Sequence, residues 1–151
     1  MTLPSSDPMA LAFAAAEAAA ARGEVPVGAV VIDAAGEVLA TAGNEVEGRS
    51  DPTAHAEILA LREAGRRIGA PRLTGCDLYV TLEPCPMCAT AASHARVRRV
   101  VFAAYDPKGG GVEHGPRIFQ QATCHHRPEV VGGVQATRSE ALLKDFFAAR
   151  R

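Results

Sequence analysis

The chain has 151 residues, 48% of them hydrophobic, with four cysteines and a formal net charge of −1. That length fits one domain spanning residues 1–151, with enough apolar content for a full core. No apolar run reaches the roughly 20 residues that span a bilayer, and Met1-Thr2-Leu3-Pro4 lacks the charged start of a signal peptide, so the expectation is a cytoplasmic protein with no membrane partner.

Asp7-Pro8, after Ser6, predicts a helix start, with Asp7 as N-cap and Pro8 in the first turn. The Ala-rich stretch then runs helically to Ala21, and Arg22-Gly23 ends it. Val27 to Ile32 reads as a buried strand, Asp33 to Gly36 as a turn, and Glu37 to Ala42 as a returning strand, together a β-hairpin. Asn44 to Asp51 reads as polar loop. Asp51-Pro52 predicts a second helix start, running to about Arg67, with His55 and Glu57 in its first turns. Asp77 to Leu82 is a strand, Pro84 ends it, and a helix follows from about Pro86 to Ala95. Arg99 to Ala103 is another strand, and the glycine-rich Tyr105 to Gly115 a loop. Ile118 to Gln121 predicts a short helix and Glu129 to Gly132 a short strand. Thr137-Arg138-Ser139-Glu140 reads as a capping box, opening a helix whose Leu142, Leu143, Phe146 and Phe147 form an apolar stripe. Strand–helix alternation through the middle implies a mostly parallel sheet with helices on both faces and an antiparallel edge from the hairpin.

Charge is uneven along the chain. Residues 1–95 hold six Lys+Arg against twelve Asp+Glu, whereas residues 96–151 hold ten against five. A basic second half points to a polyanion-facing surface, although charges spread simply for solubility give the same count.

The chemistry concentrates in His55-Ala56-Glu57 and Pro84-Cys85-Pro86-Met87-Cys88. Thiolate and imidazole hold zinc. Structural zinc sites use four protein ligands, and catalytic ones use three and leave a position for water. His55, Cys85 and Cys88 make three, and Glu57 remains as a proton carrier. No second C-x-x-C or H-x-x-x-H accompanies them, which argues against a zinc ribbon. Cysteines in a reducing compartment bind metal rather than pair, and Cys76 and Cys124 read as ordinary small buried residues. Residues two apart on a helix do not share a face, so His55 and Glu57 serve one site only if it lies off the helix N-terminus. Two helix N-termini there would lower the thiol pKa values. The pattern H-x-E followed by P-C-x-x-C resembles the signature of zinc-dependent nucleobase deaminases.

Longer segments extend the resemblance. Glu24 to Val30, Asn44, Asp51 to Ile58, Thr81 to Cys88 and Asp106-Pro107-Lys108-Gly109-Gly110 resemble the bacterial tRNA-specific adenosine deaminases. The resemblance implies a cytidine deaminase-like α/β fold: three α/β/α layers around a mixed five-stranded sheet with helices on both faces. It also implies a homodimer with one Zn²⁺ per subunit, acting on the wobble adenosine of tRNA to give inosine. By the same resemblance His55, Cys85 and Cys88 are the zinc ligands and Glu57 the proton shuttle, while Asn44, Ala56, Asp106 and Lys108 match substrate-binding positions. Residues 112–128 depart from the family pattern. They favour an alternative with the same four core residues: a deaminase of a free nucleobase or nucleoside, such as guanine or cytosine. A third possibility is a non-catalytic zinc-stabilised RNA-binding subunit, its fourth ligand supplied by Cys76, Cys124, His94, His114, His125 or His126.

Overall fold

The computed structural model describes residues 7–150. The readings that rest on Met1 to Pro4, on Ser6 and on Arg151 lie outside the described residues.

Helix α1 (Pro8–Ala21) begins as its sequence predicts, with the Asp7 carboxylate accepting from Met9 N at 3.0 Å and Pro8 in the first turn. Strands β1 (Gly28–Ile32) and β2 (Val38–Gly43) form the expected hairpin. A short helix α2 (Val46–Arg49) precedes α3 (Ala56–Ile68), and β3 (Asp77–Leu82), α4 (Pro86–His94) and β4 (Arg99–Ala104) follow in turn. The loop after β4 ends in a 3-10 turn at Ile118–Gln120, and β5 (Glu129–Val131) and α5 (Ala136–Ala148) complete the chain.

The strands lie in the order β2-β1-β3-β4-β5. β1 is antiparallel to both neighbours, while β3, β4 and β5 are parallel. The hairpin supplies the expected antiparallel edge, and its inner strand β1 is the one reversed relative to the rest of the sheet. Successive strand residues face opposite ways. Val31, Val100 and Phe102 pack with Ala56, Ala60 and Leu61 of α3 and Ala89 and Ala92 of α4. Val30, Ile32, Val101 and Ala103 pack with Met9, Ala12 and Phe13 of α1, against which Leu142 of α5 also rests. These are the two helical layers around one sheet.

Side-chain hydrogen bonds, one local and two long-range, move three boundaries. The helix expected from Asp51 starts at Ala56, because the Asp51 carboxylate accepts from Thr53 N (2.8 Å) and Thr53 Oγ1 (2.7 Å) and closes a separate turn. The expected loop at 44–51 contains α2, whose first amides are capped by Glu24: its buried carboxylate accepts from Glu47 N at 3.0 Å and Gly48 N at 2.7 Å. The expected capping box is not used, since α5 begins at Ala136 after Gln135 in the left-handed region. Ser139 is buried inside it, its hydroxyl donating to the Thr81 carbonyl at 2.5 Å. Only part of the expected stripe docks: Phe146 is buried, Leu142 and Leu143 half-buried, and Phe147 exposed.

Helix α1 packs directly on the sheet through Ala12, Ala16 and Ala19, which are fully buried. The approach depends on Gly28, where a Cβ would strike the Ala12 carbonyl of α1. Gly28→Ala should therefore cost about 2–3 kcal/mol by overpacking, read as a lowered midpoint in thermal or urea unfolding.

Candidate metal centre and active site

The site forms where β3 and β4 end, the usual place for function in an open α/β sheet. β3 leads through Glu83 and Pro84 to Cys85, and β4 leads through Tyr105 to Asp106. His55 is the N-cap residue of α3 and Cys85 that of α4, each extended (φ −71° and −68°) as that position requires. Neither side chain caps its own helix. Both turn to one point, where Cys88 of α4 joins them, fully buried.

His55 Nδ1 lies 3.6 Å from Cys85 Sγ and 3.4 Å from Cys88 Sγ. Ligands held tetrahedrally at about 2.1 Å (N) and about 2.3 Å (S) from one zinc stand about 3.5 Å apart. The cluster has zinc's donor set and zinc's spacing, with Nδ1 as the ligating nitrogen. Among the described residues no further His, Cys, Asp or Glu atom joins it. The candidate fourth ligands are occupied elsewhere. Cys76 is in the core, Cys124 Sγ points to the His126 carbonyl (3.1 Å), His126 Nε2 meets the Val97 carbonyl (2.6 Å), and His114 Nδ1 meets Glu83 (2.8 Å). His94 and His125 border a separate cleft.

Without metal the cluster is electrostatically frustrated. The hydrogen bond from the Cys88 thiol, aided by His55, pulls Cys85 down to about 4. The same hydrogen bond and burial push Cys88 strongly up, and Cys85 raises His55 above its usual 6.5. Burial and the hydrogen bond to Cys85 thus favour a proton on Cys88. A dication replaces it and lets both sulfurs ligate as thiolates.

Glu57, in the first turn of α3, is 4% exposed, and its Oε1 has no hydrogen-bond partner among the described residues. Burial raises its pKa to about 7. Asn44 is 8% exposed, and its Oδ1 is likewise unpartnered. An unsatisfied buried acceptor costs about 1–3 kcal/mol, and both of these line one cavity of about 660 Å³ together with His55, Cys85, Ala56 and Asp106. That volume suits a small-molecule-sized group.

The structure thus brings together seven of the eight residues singled out in the sequence. Asp106 also closes its own turn, its carboxylate accepting from Lys108 N (3.2 Å) and Gly109 N (3.0 Å). Lys108 is exposed on that turn and is not among the cavity-lining residues. Sequence reasoning missed four contributors: Glu24 and Glu83, which organise the walls, and Phe146 and Arg150, which line the cavity from the C-terminal helix. The Arg150 guanidinium lies 3.5 Å over the Phe146 ring. Phe146 was legible only as a docking residue, because its second role depends on where α5 lands.

The α/β/α fold with a three-ligand cluster beside an unligated buried carboxylate defines a zinc-dependent hydrolytic deaminase. Residues 4–104 match the model of the cytidine and deoxycytidylate deaminase zinc-binding region. Within that superfamily the chain belongs to the tRNA-specific adenosine deaminase family. It is 51% identical to the tRNA-specific adenosine deaminase of Agrobacterium fabrum over 95% of this chain and 93% of the relative. Against that of Aquifex aeolicus it is 45% identical, covering 93% and 92%. A solved structure from a study of A-to-I editing by tRNA:A34 deaminases superposes with a TM-score of 0.88 at 51% identity, covering 90% of this chain and 98% of that one. The guanine deaminase of Nitrosomonas europaea shares the fold at a TM-score of 0.76 and 26% identity, over 98% and 86%.

Zinc loading of metal-free protein near neutral pH should release at least one proton, because Cys88 must give up its hydrogen. Calorimetry in buffers of different ionisation enthalpy reads this number, and zinc affinity should weaken as pH falls. Cys88→Ala should abolish tight binding of the metal.

Proposed function

We propose that this chain deaminates the wobble adenosine of tRNA to inosine, releasing ammonia. The observation that carries the reading is the pairing of two orphaned buried acceptors, Glu57 Oε1 and Asn44 Oδ1, in the cavity that the metal cluster floors. The relatives that bear this name align over nearly the whole chain.

Zinc bound by His55, Cys85 and Cys88 supplies Lewis acidity, lowering the pKa of a water to about 7. The protein's own groups do the rest. Glu57 accepts a proton from water as the water oxygen bonds to C6 of adenine, and passes it to N1. It then carries the second water proton to the amine as the C6–N bond breaks, so that nitrogen leaves as ammonia. Burial raises the Glu57 carboxyl above the usual carboxylate range, which favours its taking up a proton. Asn44 Oδ1 accepts a hydrogen bond from the base or its ribose and fixes the orientation. Ala56 presents the first backbone amides of α3, which have no partner within the helix. The base reaches the cavity only when flipped from its stack. Arg150 at the cavity wall and the basic second half of the chain provide cations for the flanking phosphates.

The residues 112–128 that distinguish this chain from its family pattern do not line the cavity, which removes the main sequence support for a free-base substrate. We further propose a single domain over residues 1–151 that works as a homodimer in the cytoplasm. Among the described residues no helix is long and apolar enough to cross a membrane.

Glu57→Gln should lower inosine formation in an anticodon stem-loop by at least about 10³-fold while zinc content stays at one per chain. Mass spectrometry of nucleosides, with metal analysis of the same sample, checks both. Asn44→Ala should lower kcat/KM about 10²-fold with zinc retained. Ammonia released from free guanine or cytosine but never from RNA would overturn the substrate assignment.

A further inference from the structure

Glu83 is a carboxylate that the deamination chemistry does not use, yet it is 2% exposed, two residues before the zinc ligand Cys85. A buried carboxylate persists only if its oxygens are satisfied. Here five donors converge on it. Oε1 accepts from Asp106 N at 3.0 Å and from His114 Nδ1 at 2.8 Å. Oε2 accepts from Val112 N (3.2 Å), Glu113 N (2.9 Å) and His114 N (3.1 Å). Every donor belongs to the loop between β4 and the 3-10 turn, so one side chain gathers both ends of that loop. Backbone bonds add to the same seam: Glu83 N donates to Ala104 O at 2.8 Å, and Gly111 N to Pro84 O at 2.8 Å. The loop is moulded to the carboxylate, since a Cβ at Gly110 would collide with it.

The two ends of this arrangement both enter the active site. Downstream of Glu83 the chain turns to Cys85, which binds the metal and lines the cavity. Across the hydrogen bonds, Asp106 and Gly109 line the opposite part of the same cavity. His114 belongs to the segment that departs from the family pattern, and its ring supplies the one side-chain donor of the five. Its outer face stacks edge-on against Tyr105, 5.9 Å between ring centroids.

We propose that Glu83 is a positioning residue, which together with His114 fixes the 106–114 loop relative to the zinc-ligating turn and so sets how tightly the target nucleotide is held. Resting on the tRNA deaminase reading, it makes the loop, rather than the metal or Glu57, the element that Glu83 controls. The neutral amide of Glu83→Gln offers only one acceptor oxygen, and its NH₂ group faces donors. The Asp106 or the Val112–His114 bonds must then break. His114→Ala removes a single bond from a half-exposed side chain and leaves the fold intact.

The test measures zinc content, steady-state kinetics on an anticodon stem-loop, and amide hydrogen exchange of the zinc-loaded full chain. For Glu83→Gln the expected results are one zinc per chain and KM raised about tenfold or more, with kcat within about threefold of wild type. Exchange across 106–114 should be accelerated about tenfold or more while β3 stays protected. His114→Ala should show the same pattern at about threefold in KM, with His114→Asn, which restores a donor, recovering part of it. A purely structural role would instead lower zinc content or kcat with KM unchanged, and that pattern overturns the proposal, as does unaltered exchange in the loop. Hydrogen exchange needs no substrate, so if wild-type protein makes no inosine the functional reading fails while the Glu83 anchor is still decided.

Discussion

His55 and Cys85 occupy positions where a side chain ordinarily caps its helix, and both withhold that bond. The N-terminal ends of α3 and α4, each carrying partial positive charge, consequently meet at the ligand cluster. Such ends favour thiolate over thiol. Thiolates that close to one another repel unless a cation sits between them. The rest of the site follows from this constraint. The two helices must aim at one point, so the turn that ends in His55 and the turn that follows β3 must lie side by side. β3 and β4 are parallel and α4 connects them, so their ends place Cys85 and Asp106 at the same edge of the sheet. Small residues in α1 and at Gly28 then let the opposite layer close on the sheet.

Three buried glutamates show how partners, rather than residue type, assign a role. Glu24 spends both oxygens capping α2, and Glu83 spends both on the 106–114 loop. Glu57 has an oxygen with no partner among the described residues, and burial above all favours its taking a proton. A saturated carboxylate is held ionised by its donors, as the downward shift of Glu83 shows against its burial. An unsaturated one at the cavity wall can exchange protons with what enters. The walls are thus built by the first two and the reaction is run by the third.

The metal ligands were legible in the sequence because their chemistry is carried by residue type at short spacing. Cys85 and Cys88 need only one turn of helix to meet. The regular strands were equally readable, since β3 and β4 are short apolar runs bounded by turn residues. What local patterns could not reveal depended on distant partners. The exception is the α3 start, which is moved by a local turn that Asp51 makes with Thr53. The Thr137–Glu140 pattern is a sound cap in isolation, but Ser139 gains more by bonding Thr81 of β3 inside the core. Helix α2 exists because Glu24, 23 residues earlier, accepts its amides. Glu83 sat in view within the motif, yet nothing local distinguishes a loop anchor from a solvated charge. Phe146 and Arg150 reach the cavity only through the docking of α5.

The account stands on a zinc ion with three protein ligands and one position left to solvent. X-ray absorption spectroscopy of the zinc-loaded protein examines that directly. Two sulfurs at about 2.3 Å, one imidazole and one light non-protein scatterer at about 2.0 Å are expected. A third sulfur, a second imidazole, or a carboxylate lost on Glu57→Gln substitution would show the coordination sphere closed by protein and contradict the enzymatic reading.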